Sequence, residues 1–377
     1  MPEWSRRALR GLAVAASLPA STALAIDDAD DWRYGAYLDV SYADDLGGDR
    51  HIQWRDKLTT RNLNSFDPNM GMVYLTKQAS ESSRWGLDIG FQAGRDMDAQ
   101  KPTPDQNPIP GADVLAAFSR ANVSYLAPVG KGLKLTAGLM NSFIGFESMY
   151  AGNNPNYTRA WMADYSPYFL IGAGGEYAVQ DNLSTSFYLL TDFDYLGFVG
   201  AQPKYGGQVK WGFQPHWTLT QNIFFGPEQH DTSVSFWRGF SDSILQWEDD
   251  DLMIAMAYDI GTEKVSTSGL QTLWMGSAVW TRWRIEGPWS VALRPEVYWD
   301  PDGELTGDKQ LISAITATTE YRLALGPTTA ALRAEYRHDN STGPQGGFFN
   351  PASTSPPLVP GQDLFFFALI WTYDSPR

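Results

Sequence analysis

The sequence contains no cysteine, which excludes a disulfide framework, a thiolate metal site and a thiol nucleophile. Its histidines, His51, His216, His230 and His338, stand far apart, and none has a ligand spacing such as His-x-x-x-His. Gly-x-Ser-x-Gly elbows and phosphate-binding glycine loops are missing as well. A Ser–His barrel hydrolase would need one of those four histidines as its base, and no matching serine accompanies them. The sequence therefore points away from an enzyme, and no metal or cofactor is expected. Positive charge is also scarce. Lys and Arg number 28 against 43 Asp and Glu, for a net charge of −15, so nucleic acid is not an expected partner. Beyond the first 25 residues no apolar run approaches the roughly 20 residues of a membrane helix, and stripes at 3.6-residue spacing are nearly absent.

Aromatics and glycine are abundant, with 15 Trp, 18 Tyr, 19 Phe and 35 Gly. Period-2 alternation runs from end to end. Trp32, Tyr34, Ala36, Leu38, Val40 and Tyr42 form one face of the first segment, and Arg33, Gly35, Tyr37, Asp39 and Ser41 form the other. The pattern returns at 70–77, 85–94, 117–126, 133–146, 169–178, 183–192, 205–213, 217–225 and 235–247, then at 252–263, 270–286, 289–300, 310–324, 328–338 and 362–373. These segments predict about 16 strands of about ten residues, the length with which a tilted strand crosses a bilayer. Long links at 43–69, 95–116, 147–168, 193–204, 301–309 and 339–361 alternate with short turns, although two links, 226–234 and 264–269, are short. The expected fold is all-β: a closed antiparallel transmembrane β-barrel of about 16 strands (14 or 18 being the alternatives), with short periplasmic turns and longer external loops. Trp211, Phe213, Trp217, Trp247 and Trp289 cluster at the short turns, where an aromatic belt would meet the headgroups. Aromatic packing in a soluble sandwich is the alternative. The run Leu364–Tyr373, apolar and aromatic, would close such a ring; in a soluble protein it would be an exposed edge.

The N-terminus has the form of a secretory signal peptide, with Arg6, Arg7 and Arg10 before the apolar Gly11–Leu18 and a small-residue site at Ala23-Leu24-Ala25. Cleavage would make Ile26 the first mature residue, leaving 26–377 as a single barrel domain.

A more specific pattern lies in Ala121-Asn122-Val123-Ser124-Tyr125-Leu126-Ala127-Pro128-Val129-Gly130, followed by Leu133-Lys134-Leu135-Thr136-Ala137-Gly138. Phe143-Ile144-Gly145-Phe146-Glu147, Asn156-Tyr157-Thr158-Arg159-Ala160 and Pro167-Tyr168 come next. In this order the elements resemble the OmpL-like β-barrel porin-2 family of bacterial outer-membrane proteins, over about Trp32 to Tyr373. Two features depart from the family: Leu139 follows the Ala-Gly where a polar residue is usual, and the chain ends Asp374-Ser375-Pro376-Arg377 rather than on an aromatic. The resemblance implies an outer-membrane barrel with porin character, inserted by the barrel-assembly machinery among outer-membrane lipid and lipopolysaccharide.

Alternation assigns a set of charges to the bore. They are Arg282, Arg284 and Glu286; Arg294 and Glu296; Glu320 and Arg322; and Arg333, Glu335 and Arg337. Their neighbours in sequence are mostly apolar, and an Arg facing lipid at midplane costs about 2–4 kcal/mol. This basic wall interleaved with glutamates either selects solutes by charge or stiffens the barrel. The early strands offer a sparser set: Asp39, Asp88, Arg120, Lys134 and Glu176. The link 147–168, carrying Glu147, Asn156, Arg159, Trp161 and Asp164, is a candidate constriction loop, or else a cap on the outside. The expected function is passive diffusion of small hydrophilic solutes across the outer membrane. The alternative is a non-conducting structural or adhesive barrel that binds partners through its external loops. Either could be homo-oligomeric, since nothing in the sequence marks a subunit interface.

Overall fold

The computed structural model describes residues 32–100, 112–191, 203–227, 236–265, 269–353 and 358–375. The expected N-terminal signal segment, with its expected cleavage positions Ala23, Ala25 and Ile26, lies outside the described residues. In chain order the strands are β1 (Trp32–Asp45), the two-residue β2 (Ile52–Gln53) and β3 (Asn62–Leu63), β4 (Ser65–Lys77), β5 (Trp85–Ala93), β6 (Phe118–Ala127) and β7 (Leu133–Asn141). Then come β8 (Phe169–Gln180), β9 (Leu183–Leu190), β10 (Lys204–Gln214), β11 (Trp217–Pro227), β12 (Trp237–Glu248) and β13 (Leu252–Lys264). The last are β14 (Gln271–Arg284), β15 (Trp289–Asp300), β16 (Gln310–Leu325), β17 (Thr328–Thr342) and β18 (Gly361–Asp374). All but β2 and β3 join in one closed antiparallel barrel of sixteen strands. β1 pairs with β4 on one side and with β18 on the other, in a register that sets Leu38 opposite Trp371 and Tyr42 opposite Phe367. Closure removes every sheet edge, as a strand fold in hydrocarbon requires.

Alternation sorts the side chains. Along β1 the residues Gly35, Tyr37, Asp39, Ser41, Ala43 and Asp45 are buried inside, while Trp32, Tyr34, Leu38 and Tyr42 are exposed on the outer face. Along β15 the inner row is Ala292, Arg294, Glu296, Tyr298 and Asp300, and the outer row includes Leu293, Val297 and Trp299. Aromatic pairs mark the periplasmic end: Trp211 with Phe213 at 5.5 Å, Phe213 with Trp217 at 6.1 Å, Trp289 with Tyr321 at 4.8 Å and Trp32 with Trp85 at 6.0 Å between ring centroids.

Several boundaries differ from the sequence reading, among them the end of β17, which runs to Thr342 rather than 338. The segment expected to run from 133 to 146 as a strand ends at Asn141. Gly145 adopts φ +89°, a left-handed conformation open to glycine at little cost, and the chain there turns into the barrel. The first expected segment after the N-terminal strand begins at Ser65 rather than 70, and β14 stops at Arg284 rather than 286.

β18 explains its own composition. Its outer face is Phe365, Phe367, Leu369, Trp371 and Tyr373, but its inner face, Leu364, Phe366, Ala368 and Ile370, is also apolar and buried. The inner row is covered by external loops folded into the bore. Trp54 stacks on Phe366 at 5.8 Å, and Tyr157 meets the same ring at 6.2 Å.

Candidate channel constriction

The link between β7 and β8 does not cap the barrel; it enters it. Its first residues cross the inner face of the middle strands. Phe143 stacks on Tyr188 of β9 at 5.0 Å, its carbonyl accepts from Gln208 Nε2 of β10 at 3.0 Å, and Gly145 N–H donates to Asp242 Oδ2 of β12 at 2.8 Å. Phe146 then lies against Trp280 of β14 at 4.6 Å. The tip is closed by a reciprocal pair, Ser148 N–H to Asn154 Oδ1 and Asn154 Nδ2 to the Ser148 carbonyl, both 2.8 Å. It reaches the opposite wall, where Tyr150 O–H donates to Gln92 Oε1 of β5 at 2.7 Å and Gly152 N–H donates to the Tyr37 hydroxyl of β1 at 3.1 Å.

The returning limb carries Asn156, Arg159, Trp161 and Asp164 and the entering limb Glu147, and each of these residues singled out from sequence is held by the wall or by another part of the loops. Asn156 Nδ2 donates to Thr318 Oγ1 at 2.7 Å, and the backbone N–H groups of Tyr157 and Thr158 donate to Glu335 of β17 at 2.5 and 2.9 Å. Trp161 N–H donates to Glu296 at 2.6 Å and its indole N–H to Asp339 at 2.9 Å. Tyr157 O–H donates to Asp39 of β1 at 2.8 Å. Arg159 is fully buried and pairs with Asp96 at 2.5 Å. Glu147 accepts from Ala160 N–H at 2.5 Å, from Trp280 Nε1 at 2.9 Å and from Arg294 at 2.8 Å. From Asn154 to Leu170 the chain is buried throughout.

A second loop, 46–64, locks onto this limb. Asp164 accepts from Leu58 N–H at 3.1 Å, Thr59 N–H at 3.2 Å, Thr59 Oγ1 and the Tyr168 hydroxyl, both at 2.8 Å, and forms an ion pair with Lys57. Burial opposes the charge on Asp164, yet the Lys57 ammonium and these donors hold its carboxyl below the usual carboxylate range. Burial pulls the Lys57 ammonium down; the many donors on Asp164 decide the matter in favour of an ionised pair. Lys57 also lies between the faces of Trp54 and Trp161, 5.5 and 5.4 Å from their centroids.

The arginine wall separates into two groups. Arg294, Arg333 and Arg337 are buried and gripped. Arg294 reaches Glu147 and also Glu296 at 3.2 Å, and Arg337 reaches Asp339 at 2.9 Å and Glu296 at 3.0 Å. Arg333 donates to the carbonyls of Ala151 at 2.8 Å, Asn154 at 2.9 Å and Asn156 at 3.0 Å, and pairs with Glu320 at 2.7 Å. The β14–β15 ladder is interrupted opposite Arg294 and Pro295, where proline has no N–H to give. Arg282, Arg284 and Arg322 sit nearer the periplasmic end and are half-exposed, with Arg282 on Glu248 at 3.0 Å and Arg322 on Glu320 at 2.8 Å. Glu286 does not belong with them. It is exposed in the turn after β14, because the strand ends two residues before the alternation seemed to.

The other side of the bore is sparser. Lys134 of β7 faces Glu176 of β8 across the ladder, with Lys210 on β10, and all three are half-exposed. Arg120 and Asp88 are 3.5 Å apart. Between them lie small residues: Thr136, Gly138, Gly172, Gly174, Ser184 and Ser186. Sequence reasoning missed Trp54, Lys57 and Asp96, since charged residues in a long link look like solvated surface. It also missed Asp242 and Asp259, inward-facing carboxyls that alternation alone could have found.

The family described as "Putative beta-barrel porin-2, OmpL-like" matches residues 32–373. Among curated proteins nothing matches. Among solved structures the chain resembles an anion-selective porin from Comamonas acidovorans, with 9% identity, 92% of this chain and 99% of that one covered, and a TM-score of 0.55. It resembles the outer membrane channel DcaP of Acinetobacter baumannii at 7% identity, 96% and 100% coverage and a TM-score of 0.55. OmpT of Vibrio cholerae, solved in a trimer form, gives 9%, 91% and 98%, and 0.55. At such identities these likenesses show the fold alone.

Proposed function

The chain belongs to the putative beta-barrel porin-2, OmpL-like, family, and from that membership we propose a diffusion channel for small hydrophilic solutes narrowed by the loop 142–168. As a member it is an outer-membrane porin, with its strands in the lipid and its short turns toward the periplasm. The observation that carries the proposal is the loop's course. It is bonded from within to β1, β5, β10, β12, β15, β16 and β17, so solutes pass beside it, along the small and half-exposed side chains of β6 to β11. The half-exposed Arg282, Arg284 and Arg322, together with Lys134 and Lys210, favour anionic or zwitterionic cargo at the periplasmic mouth. The acidic turns attract cations to the same end.

Conductance in planar bilayers and swelling of liposomes in small sugars test this directly. Open steps and swelling support the channel; a sealed protein overturns it. The dense burial of Asn154–Leu170 favours one second reading, a closed barrel that acts through its external loops, and a sealed protein would establish it. Residues 1–25 are an export signal in this account, which N-terminal sequencing of the mature protein would check. Mass measurement in detergent would tell monomer from homo-oligomer. We assign no catalytic role.

A further inference from the structure

Most buried carboxylates in the bore have a cation or a full set of donors beside them; among the described residues Asp45, Asp242 and Asp259 each keep an unpartnered oxygen, and the last two face each other. Asp242 of β12 and Asp259 of β13 are directly opposed across their ladder and are buried, at 0% and 2% exposure. Both side chains face the bore from paired positions, so their carboxyl groups lie side by side. Neither takes part in any ion pair among the described residues. Asp242 Oδ2 accepts from Gly145 N–H at 2.8 Å and Asn222 Nδ2 at 2.7 Å, and Asp259 Oδ2 shares the single hydrogen of the Ser166 hydroxyl, 3.3 Å away, with the nearer Met162 carbonyl at 2.9 Å. The other oxygen of each, Asp242 Oδ1 and Asp259 Oδ1, is buried with no partner.

Two like charges so placed, out of water, cannot both be ionised, and buried polar atoms are rarely left orphaned. One proton shared between the two carboxyl groups resolves both problems. The neighbouring donors say which residue owns it. Gln208 Nε2 donates to Asn222 Oδ1 at 2.8 Å, so the Asn222 amide must present its N–H to Asp242. With two N–H donors on it, Asp242 is the carboxylate, and Asp259 is the acid that donates to it.

We propose that Asp242 and Asp259 are positioning residues which share one proton and thereby latch both stems of the constriction loop. Gly145 lies at the loop's entry and Ser166 at its exit, and each is tied to one member of the pair. This extends the constriction-loop reading and rests on it. Removing the proton sets two anions against each other and weakens the hold on both stems at once. The surroundings supply no compensation. At this level β10 offers Gln208, β11 Asn222, β14 Gly276 and β15 Tyr298, and the loop adds Met162 against Gly276. The nearest charges along the same strands, Arg238 and Glu263, are occupied with one another at 2.8 Å.

The test uses the full-length porin reconstituted in lipid, with two readouts. In infrared difference spectra across roughly pH 6 to 10, the range in which documented buried carboxyls titrate, the parent shows a protonated-carboxyl carbonyl band that is lost on alkalinisation. That band is missing from Asp259→Asn, and in Asp242→Asn it is replaced by one at the frequency of an isolated buried acid, because burial alone still favours the neutral carboxyl of Asp259. In planar bilayers the parent's conductance steps over the same pH range. Asp259→Asn, whose amide still donates to Asp242, keeps the low-pH conductance and loses the step. A parent without the band, or a variant that keeps the parent's band or the step, overturns the proposal. A band that behaves as expected in a protein that never conducts leaves the shared proton standing and sinks the channel reading instead. Asp242→Asn and the infrared signal keep the outcome decidable if one variant assembles poorly, with heat-modified gel mobility reporting assembly.

Discussion

The two sides of the bore are built from the same alternating strands yet do opposite things. From β13 round to β1 the inner face mixes charged, aromatic and apolar side chains and is largely buried under the loops: Arg294, Arg333 and Arg337 spend their guanidinium hydrogens on loop carbonyls and carboxylates. From β6 to β11 the inner face is glycine, serine and threonine with Lys134, Glu176 and Lys210 half-exposed among them. The difference shows that an inward charge is not the same thing as a pore-lining charge. What separates them is whether a loop has folded onto that wall. On the late side, above the periplasmic mouth, the strands and the loops make one polar core in which Arg294, Arg333 and Arg337 are satisfied and fixed; Lys134, Glu176 and Lys210 on the early side remain wet and free to act on a solute.

The sharpest way to break this comparison is to delete one charge on each side. Arg294→Ala leaves Glu147 buried without its cation and Glu296 with Arg337 alone, and losing one partner of a buried pair costs about 3–5 kcal/mol. We expect the folded barrel to unfold at markedly lower urea and the loop to become sensitive to protease. Lys134→Ala, by the same assay, shifts stability by about 1 kcal/mol at most, as half-exposed pairs do. Equal effects would mean that the late wall is no more a core than the early one.

The C-terminal strand allows the same comparison within one element. Phe366 points inward with 0% exposure onto Trp54 and Tyr157, and Phe367 points to lipid with 57% exposure. Phe366→Ala opens a cavity under both loops and costs about 3–5 kcal/mol. Phe367→Ala loses surface rather than packing, so its unfolding midpoint should move less. The two midpoints, measured in the same lipid, decide whether the loops are packed as the structure has them.

The barrel itself was legible because alternation is a local signal: one apolar face per strand, repeated sixteen times, fits little besides a closed sheet in lipid. β18 could be read as the closing strand, but its doubly apolar character could not, because the partner of its inner face is Trp54, more than three hundred residues away. The inward arginines were legible for the same local reason. That they are sealed was not, since Thr158, Asn154 and Ala151 meet them with backbone carbonyls, and a carbonyl has no sequence signature. Glu286 shows the converse limit. Its parity was right, but the strand had already ended.

A third and smaller effect concerns the tie between the two inward loops. Asp164→Asn keeps an acceptor for Leu58 and Thr59 but strips Lys57 of its counter-charge, at about 1–3 kcal/mol. Loop 46–64 should then be cut faster by protease while the barrel stays folded. In the parent the sign with pH is fixed by Asp164. Its folded carboxyl lies below the ordinary value of 3.8, so the tie is intact above that value and is lost as pH falls through the depressed one. Protection of the loop should therefore fall further as pH drops below the ordinary carboxylate range, and that low-pH part of the loss should be missing in Asp164→Asn. Loss of protection on the alkaline side alone would contradict the ionised pair.

The smallest change in stability should accompany the clearest change in transport. Arg284 and Arg322 are inward but half-exposed near the periplasmic mouth, so their fields reach a passing ion through water rather than ending on a fixed carbonyl. Replacing both by Gln should leave unfolding within about 1 kcal/mol of the parent while moving the reversal potential in a salt gradient toward cations. Arg294→Gln should do the reverse, with stability falling and, in the molecules that stay assembled, a reversal potential close to the parent's. Raising the salt supplies the control, because a wet charge is screened within about 10 Å at 0.1 M and a buried one is not. The Arg284 and Arg322 difference should shrink as salt is added, and the Arg294 instability should persist. If Arg294→Gln instead moves selectivity as far as the exposed pair does, solutes reach the wall behind the loop, and the division of the bore into a sealed side and an open one is wrong.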